Sequence, residues 1–168
     1  MQMVNKADEL GEDETDVHLA YSAIYILQEN LDLAREELLR ALESKPEVWE
    51  INSSLSYIHF LSGETAEALA KAQEAVRLQP YSSAVNTNLA FAYHSLEQLD
   101  LAQAAALEAI KLRPKYDLSH YILGLIYMDQ GESELAIAEF EEFLELYWDR
   151  AYVRDYKEMA ERYLTQLR

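Results

Sequence analysis

The sequence predicts an all-α fold in which antiparallel helix pairs stack into an α-solenoid. Three observations lead to this prediction. Pro46, Pro80 and Pro114 are evenly spaced along the chain, and the next step of that period falls on Trp148. Small and large apolar residues recur at fixed distances before these four positions. Within each period, apolar residues also fall at spacings of three and four, which is typical of a helix with one buried side. A period of about 34 residues is the length of a repeated helix–turn–helix unit.

The recurring residues describe one packing pattern, counted back from each period position. Alanine stands at one fixed position in all four units, and an apolar residue followed by a small one stands at another, nearer the start of the unit. The alanines are Ala34, Ala68, Ala102 and Ala136, and the apolar–small pairs are Tyr21–Ser22, Leu55–Ser56, Leu89–Ala90 and Leu123–Gly124. Such an alternation of small and large residues lets two helices approach closely, so it indicates packing rather than chemistry.

The helix boundaries follow from the punctuation of this pattern. Each proline ends the second helix of a pair, because proline lacks an amide donor and disfavours the helical conformation before it. Gly63 and Gly131 fall in the turn within a pair, where positive φ suits glycine, whereas Glu29 and Glu97 occupy the equivalent positions. We therefore expect helix pairs over about 16–45, 49–79, 83–113 and 117–147.

A ninth helix is predicted from about Arg150 to Leu167. Its apolar stripe is expected to seal the last pair, because a stacked array needs a cap with a wetter outer side. The stripe consists of Tyr152, Tyr156, Met159, Tyr163 and Leu167. Trp148 replaces the proline where the array ends and is expected to pack under this helix, with Asp149 as its N-cap. Trp148→Ala is expected to lower the stability of the fold, with any loss of partner binding being secondary to that.

The chain resembles the tetratricopeptide repeat family. The best match is HYILGLIYMDQGESELAIAEF, residues 120–140, which carries the Leu-Gly, Tyr, Gly, Ala and Phe of that pattern at the right spacing. The resemblance implies a right-handed superhelix of four repeats, at about 15–48, 49–82, 83–116 and 117–148. An acidic segment, 1–14, precedes the repeats, and a C-terminal capping helix, 149–168, follows them.

The resemblance also implies a protein–protein interaction module whose concave groove is lined by the first helix of each repeat. Carrying the groove positions over gives Tyr57, Phe60, Asn88, Phe91, His94, Tyr121 and Leu125. The aromatic members suit a hydrophobic peptide or an amphipathic helix, and Asn88 suits the backbone of an extended peptide. The alternative is that these rings pack on neighbouring helices. In the first repeat Leu19 and Ala23 replace the Lys and Asn of the carboxylate clamp known in the family, which disfavours a terminal-carboxylate ligand.

Composition excludes several other functions. With 31 acidic and 14 basic residues the formal charge is −17, which repels nucleic acid and favours a basic or amphipathic partner. The chain has no cysteine, no two histidines one helical turn apart and no phosphate-binding or nucleophile motif, so we expect no enzyme activity, metal or cofactor. No signal peptide or membrane-spanning run is seen, and a cytoplasmic location is expected.

Two roles fit these expectations. The first is an adaptor or scaffold within a multiprotein assembly. The second is a free-standing chaperone or assembly factor for a secreted or membrane-complex client. Self-association is a further possibility, because the chain contains 12 tyrosines and exposed aromatic stripes often mark interfaces.

Overall fold

A computed structural model describes residues 14–147 and 154–168. These ranges contain nine α-helices and no β-strand. The helices form two compact units, one ending at Leu78 and the other beginning at Gln79. None of the helices within the described ranges is long and apolar enough to cross a membrane.

The first unit, called unit 1, contains two helix pairs. Its helices are α1 (Glu14–Leu27), α2 (Leu31–Ser44), α3 (Trp49–Leu61) and α4 (Thr65–Leu78). Within it α1 packs on α2 and α3 packs on α4, while α2 and α3 join the pairs. The core between the pairs consists of Ala34, Leu38, Ala41, Ile51, Leu55 and Ile58, all fully buried. Alanine at two of these positions lets α3 lie close to α2.

The second unit, called unit 2, contains two further pairs and the last helix. Its helices are α5 (Ser83–Ser95), α6 (Leu99–Leu112), α7 (Asp117–Asp129), α8 (Ser133–Leu146) and α9 (Arg154–Leu167). The pairs are α5 with α6 and α7 with α8; α7 also packs on α5 and α6, and α9 packs on α8. Buried hydroxyls join α5 to α7, since the Oγ1 of Thr87 lies 2.7 Å from the Oγ of Ser119.

The predicted all-α fold and its pairing of consecutive helices are confirmed. Helix α1 is described from Glu14 onward, and the predicted bounds of the N-terminal segment and of the repeats stay predictions. The predictions for Trp148, Asp149 and Tyr152, and the start of the ninth helix at Arg150, lie outside the described residues, as does the rest of the N-terminal segment.

The turn within each pair has the same hydrogen-bond pattern in all four repeats. In the second repeat the amide of Gly63 donates to the Phe60 carbonyl at 3.0 Å, and that of Glu64 donates to the His59 carbonyl at 2.9 Å. These two bonds define a Schellman motif, in which the first donor takes positive φ. The φ values are 73° and 80° at Gly63 and Gly131, and 58° and 56° at Glu29 and Glu97. The two glutamates therefore adopt the conformation that the glycines favour.

Glu97→Gly should stabilise the protein by about 0.5–1 kcal/mol. Replacing glutamate with glycine removes the cost of the left-handed conformation, which is about 1–2 kcal/mol for an ordinary residue. Glycine's greater freedom in the unfolded chain offsets about 0.5–1 kcal/mol of this stabilisation. Urea denaturation measures the difference. Gly63→Ala is the matched control, expected to destabilise by about 1 kcal/mol, because a Cβ there meets no atom within 4 Å and only the backbone is strained. A neutral or destabilising Glu97→Gly would contradict the prediction.

Gly124 permits the closest helix approach in the fourth repeat. A Cβ at this position would lie 2.8 Å from two ring carbons of Phe140, which is fully buried on α8. The Phe140 ring is itself held against Tyr121 and Tyr163, at centroid distances of 5.9 and 5.4 Å. Among the four repeats, the fourth has the smallest residue at the position of Gly124 and the largest side chain at the position of Phe140.

Gly124→Ala is expected to destabilise the protein by up to about 2 kcal/mol. Overpacking costs about 1–3 kcal/mol, which exceeds the gain of about 1 kcal/mol in helix propensity. A double-mutant cycle by thermal denaturation tests the cause. In the Phe140→Leu background, which copies the Ser22–Leu38 combination of the first repeat, Gly124→Ala should be neutral or stabilising. Equal losses in both backgrounds would show that the close approach is not the reason.

Candidate functional site

The first helices of unit 1 carry exposed apolar side chains. Ile24 is 47% exposed, Leu27 54% and Leu61 42%. In the described residues, all large apolar side chains that are exposed on a first helix belong to α1 and α3; those of unit 2 lie on α6, α8 or a loop. The first-helix surface of unit 1 is therefore the one that offers apolar area to a partner.

Two predicted groove residues belong to this surface. Tyr57 and Phe60 on α3 are both partly exposed. Their spacing of three residues, with Leu61 one residue further, places the three side chains on neighbouring positions of the helix surface. Leu27 occupies in α1 the position that Leu61 occupies in α3, and α1 and α3 contact each other. We call Leu27, Tyr57, Phe60 and Leu61 the unit 1 surface.

Sequence reasoning missed Leu27 and Leu61. The signal was present, because Leu61 follows Tyr57 by one helical turn and Leu27 precedes Leu61 by one repeat. The groove positions carried over from the family pattern end at Ala23 in the first repeat and at Phe60 in the second, and so leave out both leucines.

Two other predicted groove residues are buried in unit 2. Tyr121 is 1% exposed and Phe91 is 2% exposed, with their ring centroids 6.4 Å apart. Both rings contact Tyr156 of α9, whose centroid lies 4.8 Å from Tyr121 and 6.1 Å from Phe91. Burial also raises the pKa of the Tyr121 phenol, with a smaller contribution from Tyr163. Neither ring presents surface to a ligand in this structure, and their ligand role stays a prediction.

The remaining predicted residues of unit 2 are partly exposed. The Nε2 of His94 lies 2.8 Å from Asp129 Oδ2, so this imidazole bridges α5 and α7. Asn88 and Leu125 are also partly exposed. The structure brings Phe91 and Tyr121 together, while His94 joins a carboxylate that the sequence analysis had not paired with it.

The start of each later first helix is fixed by a side chain that donates to the carbonyl of the repeat's proline. Asn86 Nδ2 donates to the Pro80 carbonyl at 2.9 Å, and Asn52 makes the same bond to Pro46 at 3.5 Å. In the fourth repeat His120 replaces asparagine, and its Nε2 donates to the Pro114 carbonyl at 2.8 Å. Each bond satisfies a carbonyl at the proline junction and fixes where the helix begins.

His120 has a second partner, and this partner is a carboxylate. Its Nδ1 lies 2.7 Å from Glu139 Oε2 on α8. Both ring nitrogens face acceptors, and only the protonated ring donates from both. Burial, the largest influence, lowers the pKa of His120, but the hydrogen bonds to Glu139 and Pro114 and the charges of Glu139 and Glu142 outweigh it, so the pKa lies above its ordinary 6.5.

His120 should therefore make stability depend on pH. A raised folded-state pKa adds stability that is complete below the unfolded value of 6.5 and is lost as pH rises through the folded value. His120→Asn keeps the donor to Pro114 but loses the charged bond, so it should destabilise by about 1.5–3 kcal/mol at pH 5.5 and by clearly less at pH 9. Urea denaturation at both values measures this; an equal loss at both would contradict it. Lys71→Ala is the control at the equivalent contact of the second repeat, where Lys71 Nζ lies 3.4 Å from Asn52.

No group of three or more potential metal-binding side chains occurs in the stretches that the structure describes. Each of the four histidines lies beside a carboxylate: His18 with Glu37, His59 with Glu64, His94 with Asp129 and His120 with Glu139; His18 also has Glu14 at 3.8 Å. Each pair consists of one imidazole and one acid, and three of the pairs join two helices.

Comparisons with known proteins agree with the repeat pattern. The sequence profile of the tetratricopeptide repeat family matches residues 25–83 and 88–151, which together exceed half of the chain. No curated protein matches the chain by sequence.

Several solved structures share the fold. TTC0263, a thermophilic tetratricopeptide repeat protein of Thermus thermophilus, is 22% identical with a TM-score of 0.78, covering 91% of this chain and 80% of that one. Pseudomonas aeruginosa PilF is 19% identical with a TM-score of 0.71, covering 92% and 77%. A chain of the APC/C hetero-tetramer Cut9–Hcn1 is 21% identical with a TM-score of 0.80, covering 98% of this chain but 32% of its own length. At these identities the likeness concerns the fold alone.

Proposed function

Because the chain belongs to the tetratricopeptide repeat family, whose fold serves protein–protein interaction, we propose that it binds a hydrophobic peptide or an amphipathic helix of a partner protein on the unit 1 surface. The observation that carries the proposal is the exposure of Leu27 and Leu61 beside the partly exposed rings of Tyr57 and Phe60. Aromatic and aliphatic side chains one turn apart are the usual anchors for a helix laid along a groove.

Charge near this surface selects among partners. Residues 14–44, which span α1 and α2, carry seven acidic and two basic residues. Such an excess attracts a partner with basic residues beside its apolar stripe and accelerates its association at low salt. A basic amphipathic helix therefore fits better than an acidic one, and nucleic acid does not fit.

The role that follows is binding without chemistry. The chain would act as an adaptor or scaffold in a multiprotein assembly in the cytoplasm. The chaperone role is the second candidate, since an apolar surface in an acidic part of the chain also suits an aggregation-prone client segment. A second copy of the chain could meet the same apolar side chains, and light scattering at high protein concentration separates that case from binding of a different protein.

Tyr57→Ala combined with Phe60→Ala should remove the partner from the full chain while leaving helicity and thermal stability nearly unchanged. Anchors of this kind contribute about 2 kcal/mol or more each to binding, so their joint loss should weaken binding at least about hundredfold. Pulldown from source lysate with quantitative mass spectrometry compares the variant with the wild-type chain. Tyr81→Ala is the matched control, because Tyr81 is 80% exposed but lies outside the unit 1 surface.

Retention of every partner by the double variant would disprove the unit 1 surface as a site, and loss of its fold would show that these rings belong to the core. The identity of what is lost distinguishes the two roles. A stable stoichiometric complex indicates an adaptor, whereas a single client that is degraded in cells lacking this protein indicates a chaperone.

A further inference from the structure

The last helix lies on unit 2 as a ligand helix would lie in a groove. Four rings from three helices form its seat, which we call the aromatic platform: Phe91 of α5, Tyr121 of α7, and Phe140 and Phe143 of α8. On α9, Tyr156 packs edge-on against Tyr121, and Tyr163 stacks on Phe140 at 5.4 Å. The Tyr121 hydroxyl also donates to the Met159 sulfur at 3.8 Å.

The contact residues of α9 follow the spacing of helix-in-groove anchors. Its buried residues are Tyr156, Ala160 and Leu164, with Met159 and Tyr163 on the same side. These positions are i, i+3, i+4, i+7 and i+8, the spacing by which an amphipathic helix recognises a groove. The platform therefore fits a helix that has an aromatic residue at the position of Tyr156, a thioether or aliphatic residue at that of Met159 and a small residue at that of Ala160.

Charge matches across the same contact. The helix α8 carries five glutamates and no basic residue, whereas residues 154–168 carry four basic and three acidic residues in a chain whose total charge is −17. Arg168 pairs with Glu141 of α8, and Lys157 Nζ lies 5.5 Å from the ring centroid of Tyr147. The acidic border of the platform therefore selects a helix with basic residues.

Helix α9 has few buried residues and packs on one side of unit 2. Three residues of α9 are buried, as many as in α8 and fewer than the nine in α7, but α8 packs on α7 as well as on α9. Helix α9 packs chiefly on α8. Elements with few buried residues open at free energies well below that of global unfolding. The α9 helix is thus the part of unit 2 that can leave while the pairs α5–α6 and α7–α8 stay folded.

We propose that the aromatic platform is a second binding surface, for a basic amphipathic helix of a partner protein, and that α9 is its internal occupant. The partner helix presents the α9 spacing and displaces α9. As a segment of the same chain, α9 competes at an effective concentration on the order of millimolar. A partner that matches α9 only equally is excluded, so the device selects partners that bind more tightly. The inference goes beyond the proposed function, because no residue of the unit 1 surface takes part.

The test uses the full chain and a labelled synthetic peptide with the sequence of residues 154–168. Tyr156→Ala combined with Tyr163→Ala in the chain weakens the internal occupant. By fluorescence anisotropy this variant should bind the peptide at least about tenfold more tightly than the wild-type chain does. A peptide carrying the same two substitutions is the control and should bind neither chain. Adding Tyr57→Ala and Phe60→Ala to the chain should leave peptide binding unchanged, which separates this surface from the unit 1 surface.

Two further measurements decide between an occupant and a fixed structural cap. Hydrogen exchange of the wild-type chain should show faster exchange in α9 than in α7 and α8. A second peptide keeps the five stripe residues but has different outward residues and a net positive charge. It should bind the weakened chain. A third peptide with the same stripe and a net negative charge should bind at least about tenfold less tightly. The proposal would be overturned if the weakened chain unfolds, or if α9 exchanges together with α7 and α8. It would also be overturned if the weakened chain binds the 154–168 peptide but not the second peptide.

Discussion

The structure depends on one constraint: a helix pair of this kind cannot bury its apolar side by itself. Each pair presents apolar side chains from its first helix, and a neighbouring helix must cover them. Ile58 in α3 and Ile126 in α7 are fully buried in this way. Ile24, which occupies the same repeat position in α1, is 47% exposed because no described helix precedes α1. The same constraint acts at the other end, where the platform formed by α5, α7 and α8 is covered by α9.

Close approach makes this stacking possible, and it depends on complementary volumes. Gly124 at the small position of the fourth repeat faces Phe140 of the second helix. The same two positions hold Ser22 and Leu38, Ser56 and Ala72, and Ala90 and Ala106 in the first three repeats. The fourth repeat combines the smallest residue with the largest. That exchange moves a phenyl ring into the core of unit 2, where it becomes the seat of Tyr121 and Tyr163. Gly124 therefore leaves room for one of the four rings of the aromatic platform.

Most of the fold could be predicted from the sequence because the information is local and repeated. The prolines, the alanines and the turn position recur once in each period, so one repeat supports the reading of the next. Glu29 and Glu97 show the limit of residue preference: they depart from the glycine of the other two turns, yet both take positive φ. The Schellman hydrogen bonds and the packing of the flanking helices impose that conformation, and they override a preference of about 1–2 kcal/mol.

The site could be predicted less well because exposure is not a local property. The family pattern assigns Tyr57 and Tyr121 to the same kind of surface, but Tyr57 is partly exposed whereas Tyr121 is 1% exposed. Tyr121 packs against Tyr156 as well as against rings of its own unit's repeats, and Tyr156 lies far from it in sequence and belongs to no repeat position. The predicted stripe on the last helix contains Tyr156, and the predicted groove contains Tyr121. Only the packing of α9 shows that the stripe covers this part of the groove, because neither pattern alone specifies where the last helix lies.

The two ends of the chain thus treat the same chemistry differently. In unit 1 Leu27 and Leu61 are exposed on the first helices, and Tyr57 and Phe60 are partly exposed. In unit 2 equivalent rings are occupied by a helix that carries a disproportionate share of the chain's basic residues. Under the proposal for the aromatic platform, a partner of unit 2 has to displace α9, which lowers its apparent affinity by the fraction of chains in which α9 is bound.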